Sequence, residues 1–402
     1  MGLNVKVGLI GPLDMLKFKN MSKNRDKVIE GAPANEISGE YSINKNAKAL
    51  HPDYMNLIVS SVTEHPGTGG KTITFSSKDG NSLPFFRAGQ YLSLKMNIGE
   101  SFVTRPYSIC SSPKDALNGK MSITVCENPG GFAADWILQN FKEGDSVITS
   151  APEGTFYYED LRDSETVIAL AGGSGITPFL SMARAIRDGI EDFNLTILYG
   201  SRTMERALFK KELAEICKEC PKVKVVYVLS DEEVEGHEHG FITSQLIKKY
   251  APETEYSIYI CGPQAMYSFV SKEIEGLCLP RRLVRRELLG VTKQITEDAD
   301  YPKECVGKEF KITVHRGPDS KEIVASADEP LLVALERAGI KAPSRCRSGE
   351  CGWCRSKLVS GEVFVPEENE GRRYSDIING YIHPCACFAV SDLELEVPGE
   401  YL

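Results

Sequence analysis

Cys346-Arg347-Ser348-Gly349-Glu350-Cys351-Gly352-Trp353-Cys354, with Cys385 following after thirty intervening residues, decides how this chain is read. Four residues separate the first two cysteines and two separate the next pair, so three thiols share one short loop and a fourth arrives from a distance. Loops of the form C-x4-C-x2-C…C hold 2Fe-2S clusters. Structural zinc, the alternative for four cysteines, more often pairs two short knuckles. Gly349 and Gly352 suit a loop folded tightly enough to turn backbone N–H groups toward sulfur. A one-electron carrier is therefore expected here, and the segments upstream are expected to load it.

Working outward, 402 residues exceed what one core serves and fit two to four domains. Hydrophobic residues make up 42% and charged residues 26%, as in ordinary globular proteins. The 47 Lys and Arg against 56 Asp and Glu give a net charge of -9, whose field repels phosphate backbones, so no nucleic-acid partner is expected. No apolar run reaches the roughly 18 to 20 residues that cross a bilayer. Pro12 and Asp14 interrupt the weakly apolar stretch from Val7 to Leu16, which does not read as a leader. The chain is read as cytoplasmic. Twelve cysteines, clustered only in the last third, fit a reducing compartment better than a disulfide scaffold.

The expected organisation is multidomain. Residues 1–50 form a polar, Lys- and Asn-rich extension, either a loose arm or a docking or capping segment. Over residues 51–160, short alternating runs such as Asn56-Leu57-Ile58-Val59, Thr72-Ile73-Thr74-Phe75 and Tyr91-Leu92-Ser93-Leu94, cut by Gly, Pro and Asp turns, predict an antiparallel β-barrel. Over residues 161–295, the apolar runs Val167–Leu170, Leu195–Leu198, Val225–Val228 and Ile258–Ile260 alternate with helical stretches. That pattern predicts an α/β domain with a parallel sheet. A charged linker, residues 296–306, leads to the cysteine-bearing domain at 307–402, where Phe310, Ile312 and Val314 alternate as a strand and Leu331 to Ala338 reads as a helix.

Three motifs carry the chemistry upstream. Ala171-Gly172-Gly173-Ser174-Gly175-Ile176-Thr177-Pro178 follows an apolar strand and opens a helix, with Thr177 placed to cap it and Pro178 in its first turn. Glycines at such a turn allow a ligand close to the backbone, and a helix N-terminus favours phosphate. Cys261-Gly262-Pro263 ends the last parallel strand and is expected beside that loop, at the carboxyl ends of the strands where ligands bind. Arg105-Pro106-Tyr107-Ser108 offers a guanidinium for a phosphate, a ring to cover a flat ligand and a hydroxyl for a ring nitrogen. By itself an alternating strand explains it equally well.

The order Arg-x-Tyr-Ser, Gly130-Gly131, Gly-Gly-x-Gly-Ile-Thr-Pro, Cys-Gly-Pro and a terminal four-cysteine pattern resembles the ferredoxin-NADP reductase superfamily. Within it, the chain resembles the phthalate dioxygenase reductase and phenylacetate-CoA epoxygenase reductase type over about residues 52–400. The resemblance implies a flavin barrel, a nicotinamide domain and a β-grasp ferredoxin domain. It implies that Arg105 contacts the flavin phosphate, Tyr107 packs on the isoalloxazine, Ser108 bonds near its N5, and Gly130 and Gly131 offer amides to a pyrophosphate. FAD is expected, with FMN the alternative because Ala134 stands where FAD enzymes of the family often carry Ser or Thr. It further implies that Thr177 and Cys261 flank the reactive nicotinamide carbon, with Gly172, Gly173, Gly175, Gly262 and Pro263 around the dinucleotide. Ser201 and Arg202 fall where the adenosine ribose is met. Arg202 argues for a 2'-phosphate, while Asp231, after Ser230, repels one and accepts from a free hydroxyl, so NADH is favoured over NADPH.

For the cluster, Cys346, Cys351, Cys354 and Cys385 are expected as ligands, and Cys387 as a neighbour facing elsewhere. Arg345, Arg347 and Arg355 read either as a docking patch for an acidic partner or as ordinary surface arginines. His237 and His239 lie in an acidic loop without further ligands and read as solvated. A nicotinamide delivers two electrons as hydride and a 2Fe-2S cluster accepts one, so a flavin between them is required. The expected activity is that of an NAD(P)H-dependent reductase feeding a separate oxygenase, reductase or demethylase component. The alternatives are a self-contained reductase of quinones or free flavins, and an electron-transfer subunit of a larger complex.

Overall fold

The computed structural model describes residues 12–31, 41–128, 130–291 and 294–399. The N-terminal unit carries two helices, α1 (Pro12–Glu30) and α2 (Ser42–Leu50). The sequence predicts little periodicity here, and α2 arises without a buried face: Ile43, Ala47 and Leu50 line one side of it at helical spacing yet stay exposed. Val7 lies outside the described residues.

The first sheet of the larger unit contains β1 (Tyr54–His65), β2 (Gly70–Ser77), β3 (Tyr91–Ile98), β4 (Ser101–Ser108), β5 (Lys120–Cys126) and β6 (Ser146–Ser150) in the order β4-β3-β6-β1-β2-β5. Helices α3 (Pro113–Leu117) and α4 (Phe132–Asn140) flank β5. All described pairings are antiparallel. The chain leaving β4 closes the curl on β5, where the Cys110 N–H donates to Ser122 O at 2.8 Å. Alternation sends Leu57, Val59, Ile73, Phe75, Leu92, Leu94 and Ile123 into one core, each contributing about 1.5–3 kcal/mol by leaving water.

The second sheet contains β7 (Thr166–Gly172), β8 (Asn194–Ser201), β9 (Val223–Leu229), β10 (Glu238–His239), β11 (Ser257–Cys261) and β12 (Val284–Arg286). It is parallel, in the order β10-β9-β8-β7-β11-β12, with α5 (Thr177–Arg187), α6 (Lys210–Glu219), α7 (Ser244–Tyr250) and α8 (Gln264–Glu275) in its connections. Strand β7 is apolar without alternation because both its faces are covered: Val167, Ala169 and Ala171 pack in one cluster, Ile168 and Leu170 in another. Strand order reverses between β7 and β11, which opens a crevice at their carboxyl ends.

The third sheet mixes β13 (Glu309–Arg316), β14 (Asp319–Ser326), β15 (Ser356–Ser360), β17 (Tyr381–Ile382) and β19 (Leu393–Glu396) in the order β14-β13-β19-β15-β17, beside the ribbon of β16 (Val363–Phe364) and β18 (Phe388–Ala389). Helix α9 (Leu331–Arg337) packs its Leu331, Ala334 and Leu335 on this sheet, and α10 (Tyr374–Ile378) precedes β17. The charged linker is not loose. Ile295, Tyr301 and Cys305 are buried against Ala327 and Phe388, and the Tyr301 hydroxyl donates to Ala327 O at 3.0 Å.

Candidate functional site

The glycine loop lies where the strand order reverses, but its glycines serve different ends. A Cβ on Gly175 would lie 2.1 Å from Cys261 O, and one on Gly172 would lie 2.4 Å from Met266 Sδ and 3.0 Å from Pro263 Cδ. At these two positions a side chain would collide with the Cys261-Gly262-Pro263 turn, so glycine lets that turn approach closely. Gly173, with φ +53° and nothing within 4 Å, is the one facing open space. Thr177 does not cap: it is already helical, and its hydroxyl donates to Ser174 O at 2.9 Å across the 3-10 turn Gly173–Ile176, while Pro178 takes the first turn. Farther along the crevice, Ser201, Arg202 and Asp231 come together, since the Asp231 N–H donates to Arg202 O at 3.0 Å. The Asp231 side chain is exposed and accepts from Ser230 Oγ.

The most chemically loaded point is one the motifs do not reveal. Glu287 continues from β12, its N–H donating to Ile260 O at 3.0 Å, and its carboxylate accepts from Ser108 Oγ at 2.8 Å and Cys261 Sγ at 3.0 Å. One oxygen of Glu287 thus joins the barrel strand to the nicotinamide strand, and Oε1 is buried without a partner. Burial pushes this carboxyl up to about 7, against the lowering effect of the two hydrogen bonds, and Glu350 adds to the rise. The Cys261 thiol is raised well above its usual value by burial and then by Glu287. An acid poised near neutrality between these side chains can hold or release a proton where the two domains meet.

On the barrel, Tyr107 is half-buried against the core, and burial pushes its hydroxyl up. Arg105 donates to Thr104 O at 2.9 Å and lies 3.6 Å from Glu336 of α9. Gly130, φ +75°, turns the chain into α4, whose N-cap, Gly131, offers no side chain to the first-turn amides. The Gly131 N–H is itself spent on Asn128 O at 2.5 Å, so the donors left for a pyrophosphate are those of the helix start and not of Gly131. Uncapped helix amides, an aromatic face and a hydroxyl at the barrel mouth fit a flavin.

In the cysteine loop, Arg347, Gly349 and Gly352 all take left-handed backbone (φ +60°, +89° and +71°). A Cβ on Gly349 would lie 2.5 Å from Asn369 O, so only glycine serves there. The N–H groups of Ser348 and Cys351 point at Cys346 Sγ at 3.5 and 3.4 Å, and that of Trp353 at Cys351 Sγ at 3.5 Å. Cys354 and Cys385 lie Sγ to Sγ at 3.3 Å, while Cys346 contacts both Cys351 and Cys385. Among the described residues no three such side chains are arranged for a single metal ion. The four thiols instead form a row, Cys351–Cys346–Cys385–Cys354, ringed by inward amides, which fits a two-iron cluster with its negative sulfurs. Cys387 is buried in the main core of the domain, whereas Cys354 and Cys385 pack in a separate small cluster with Leu332 and Ala386.

Two of the three arginines depart from both readings offered by the sequence. Arg347 is 1% exposed and binds Glu336; Arg345 is 8% exposed, bound to Glu153 and stacked 3.5 Å over the Trp353 ring. They brace the loop and cannot dock a partner. Only Arg355 remains at the surface, paired to Asp376 at 2.6 Å. His237 meets Tyr227 edge-on, and His239 lies beside Glu232 O.

Three known families match the chain in this order: an oxidoreductase FAD-binding domain over residues 71–158, an oxidoreductase NAD-binding domain over 169–272 and a 2Fe-2S iron-sulfur cluster binding domain over 314–390. The chain is 30% identical to the ferredoxin reductase component of 3-ketosteroid-9-alpha-monooxygenase from Mycobacterium tuberculosis, over 80% of this chain and 90% of that one. It is 27% identical to the glycine betaine monooxygenase reductase subunit of Chromohalobacter salexigens (78% and 88% covered) and to a component of the Escherichia coli 1,2-phenylacetyl-CoA epoxidase (75% and 85%). The solved structure of phthalate dioxygenase reductase superposes with a TM-score of 0.61 at 26% identity, over 86% of this chain and 98% of that one. No described helix is long and apolar enough to cross a membrane. The chain is an NAD(P)-linked oxidoreductase with FAD and 2Fe-2S domains, and it belongs to the ferredoxin-NADP reductase superfamily, in the phthalate dioxygenase reductase type.

Proposed function

We propose that the chain is the reductase component of a two-protein oxygenase system, drawing electrons from NADH and releasing them singly at its 2Fe-2S domain. The observation that carries this reading is the junction at Glu287. Its carboxylate ties Ser108 of the flavin barrel to Cys261 of the nicotinamide sheet, and three residues on, the Gly290 N–H donates to Cys346 O at 3.0 Å. One short segment therefore touches all three domains.

A bound flavin supplies the conversion between a two-electron donor and a one-electron acceptor. The residues do the rest. Tyr107 and Ser108 orient the ring, Arg105 and the start of α4 hold its phosphates, and Gly173 leaves space for the dinucleotide. Cys261 and Thr177 set the nicotinamide end, and Glu287 holds a proton beside them. Ser201, Arg202 and Asp231 meet the adenosine ribose, where the exposed Asp231 carboxylate disfavours a 2'-phosphate and favours NADH. Cys346, Cys351, Cys354 and Cys385 hold the iron. Twelve cysteines with no disulfide among the described residues are in keeping with a reducing, cytoplasmic setting.

Steady-state assays test the assignment. Rapid reduction of cytochrome c with negligible turnover of quinones or free flavin supports a reductase that serves a protein acceptor. The opposite ranking would favour a self-contained reductase of diffusible acceptors.

A further inference from the structure

Arg347, which follows Cys346 directly, is the largest fully buried side chain in the described structure and is held in left-handed backbone. Its guanidinium forks onto Glu336, with Nη1 to Oε1 at 2.5 Å and Nη2 to Oε2 at 3.0 Å. Glu336 is a lone acid among the buried residues of α9 (Leu331, Leu332, Ala334 and Leu335), and that helix packs on β4 of the barrel. From β4, Arg105 reaches the same carboxylate oxygen, Oε2, at 3.6 Å. Two cations share one anion in a site withdrawn from water, leaving one positive charge without a counter-charge in the triad. Burial first, and Arg347 second, pull Arg105 down to about 10. Such a site is short of one anion.

We propose that Glu336 is a positioning residue shared by the flavin strand and the cluster loop, so that a flavin phosphate at Arg105 and an ordered Cys346–Cys351 loop stabilise each other. This rests on the assignment of Arg105 to the flavin phosphate. Glu336 fixes one edge of the Arg105 guanidinium and leaves its other donors for the phosphate, whose charge completes the triad. The same carboxylate holds Arg347, and with it the strained backbone beside Cys346. Linkage is reciprocal: whatever the cluster loop gains from flavin, flavin gains from the loop.

The test uses the full chain with its cluster, stripped of flavin and titrated with FAD or with riboflavin, which lacks phosphate. Cluster loss under a chelator is timed with and without FAD. Arg105→Gln and Glu336→Gln should each weaken FAD about tenfold and riboflavin by less than about twofold, and the double variant should be no weaker than about twofold below the worse single, the signature of coupled residues. FAD should slow cluster loss in the wild type and not in Glu336→Gln. Because Glu336→Gln leaves Arg347 without its counter-charge, Glu336→Asp, which keeps the charge and shortens the reach to Arg105, provides a second route with the same expectation for FAD. If Arg105→Gln weakens FAD but both Glu336 variants bind it normally, and they shorten cluster life equally with and without FAD, Glu336 is only an internal brace and the inference is overturned. If Arg105→Gln leaves FAD affinity unchanged, the phosphate assignment itself fails and takes the linkage with it.

Discussion

Replacing Glu287 with Gln should make the protein more stable, and only above the acidic range. The carboxyl is buried and its midpoint lies at about 7 instead of 4.5, so ionising it in the fold costs about 3 kcal/mol more than in the unfolded chain. A raised carboxyl means that the folded state binds the extra proton between those two values. Its contribution is therefore intact below about pH 4.5, declines as pH rises, and is gone above about 7. Glutamine keeps the shape and hydrogen-bonding capacity toward Ser108 and Cys261 without the ionisation. Denaturant unfolding of the loaded protein at steps from pH 5 to 8 should show a small difference at pH 5 that widens to about 3 kcal/mol in favour of Glu287→Gln by pH 8. A difference independent of pH, or a wild type that is the more stable protein at pH 8, would refute the placement of a protonated carboxyl at this junction.

Three other outcomes follow from the geometry. Cys351→Ser should abolish cytochrome c reduction and leave NADH-to-ferricyanide activity largely intact; equal loss of both would overturn the order of carriers. Gly175→Ala sets a methyl 2.1 Å from the Cys261 carbonyl oxygen and should destabilise the nicotinamide domain by about 1–3 kcal/mol and raise the KM for NADH, visible in thermal unfolding and steady-state kinetics, whereas an unchanged variant would separate the two loops. Asp231→Arg should shift the kcat/KM ratio toward NADPH by about tenfold or more, equivalent to about 1.4 kcal/mol, and an unmoved ratio would remove Asp231 from cofactor choice.

What the sequence discloses here follows a physical division. The cysteine spacing, the glycine-rich turn after β7 and the alternating runs of the barrel are local patterns, and each lies on the element expected of it. Thr177 departs from its expected capping place because a 3-10 turn inserts between strand and helix and takes its hydroxyl. Glu287 is hidden in the sequence because Arg285-Arg286-Glu287 reads as a solvated charge run; parallel pairing of β12 with β11 buries it, and its partner Ser108 is 179 residues away in the chain. Arg345 and Arg347 look solvent-facing for the same reason. Their counter-charges, Glu153 and Glu336, come from elsewhere in the fold, and nothing in the loop itself names them. The signal available for Glu287 is modest: an acid between a short strand and Leu288-Leu289, where a solvated residue gains nothing from apolar neighbours.

Paired electrons entering at the nicotinamide sheet should leave singly through iron and sulfur, and every role assigned above depends on that conversion. Anaerobic titration with NADH, followed by paramagnetic resonance and metal analysis on the same sample, tests it most directly. About two irons per chain are expected, together with a reduced-cluster signal of about one spin that grows as the flavin absorbance bleaches. A preparation that holds zinc in place of iron, or a flavin that bleaches while no such signal develops, would contradict it.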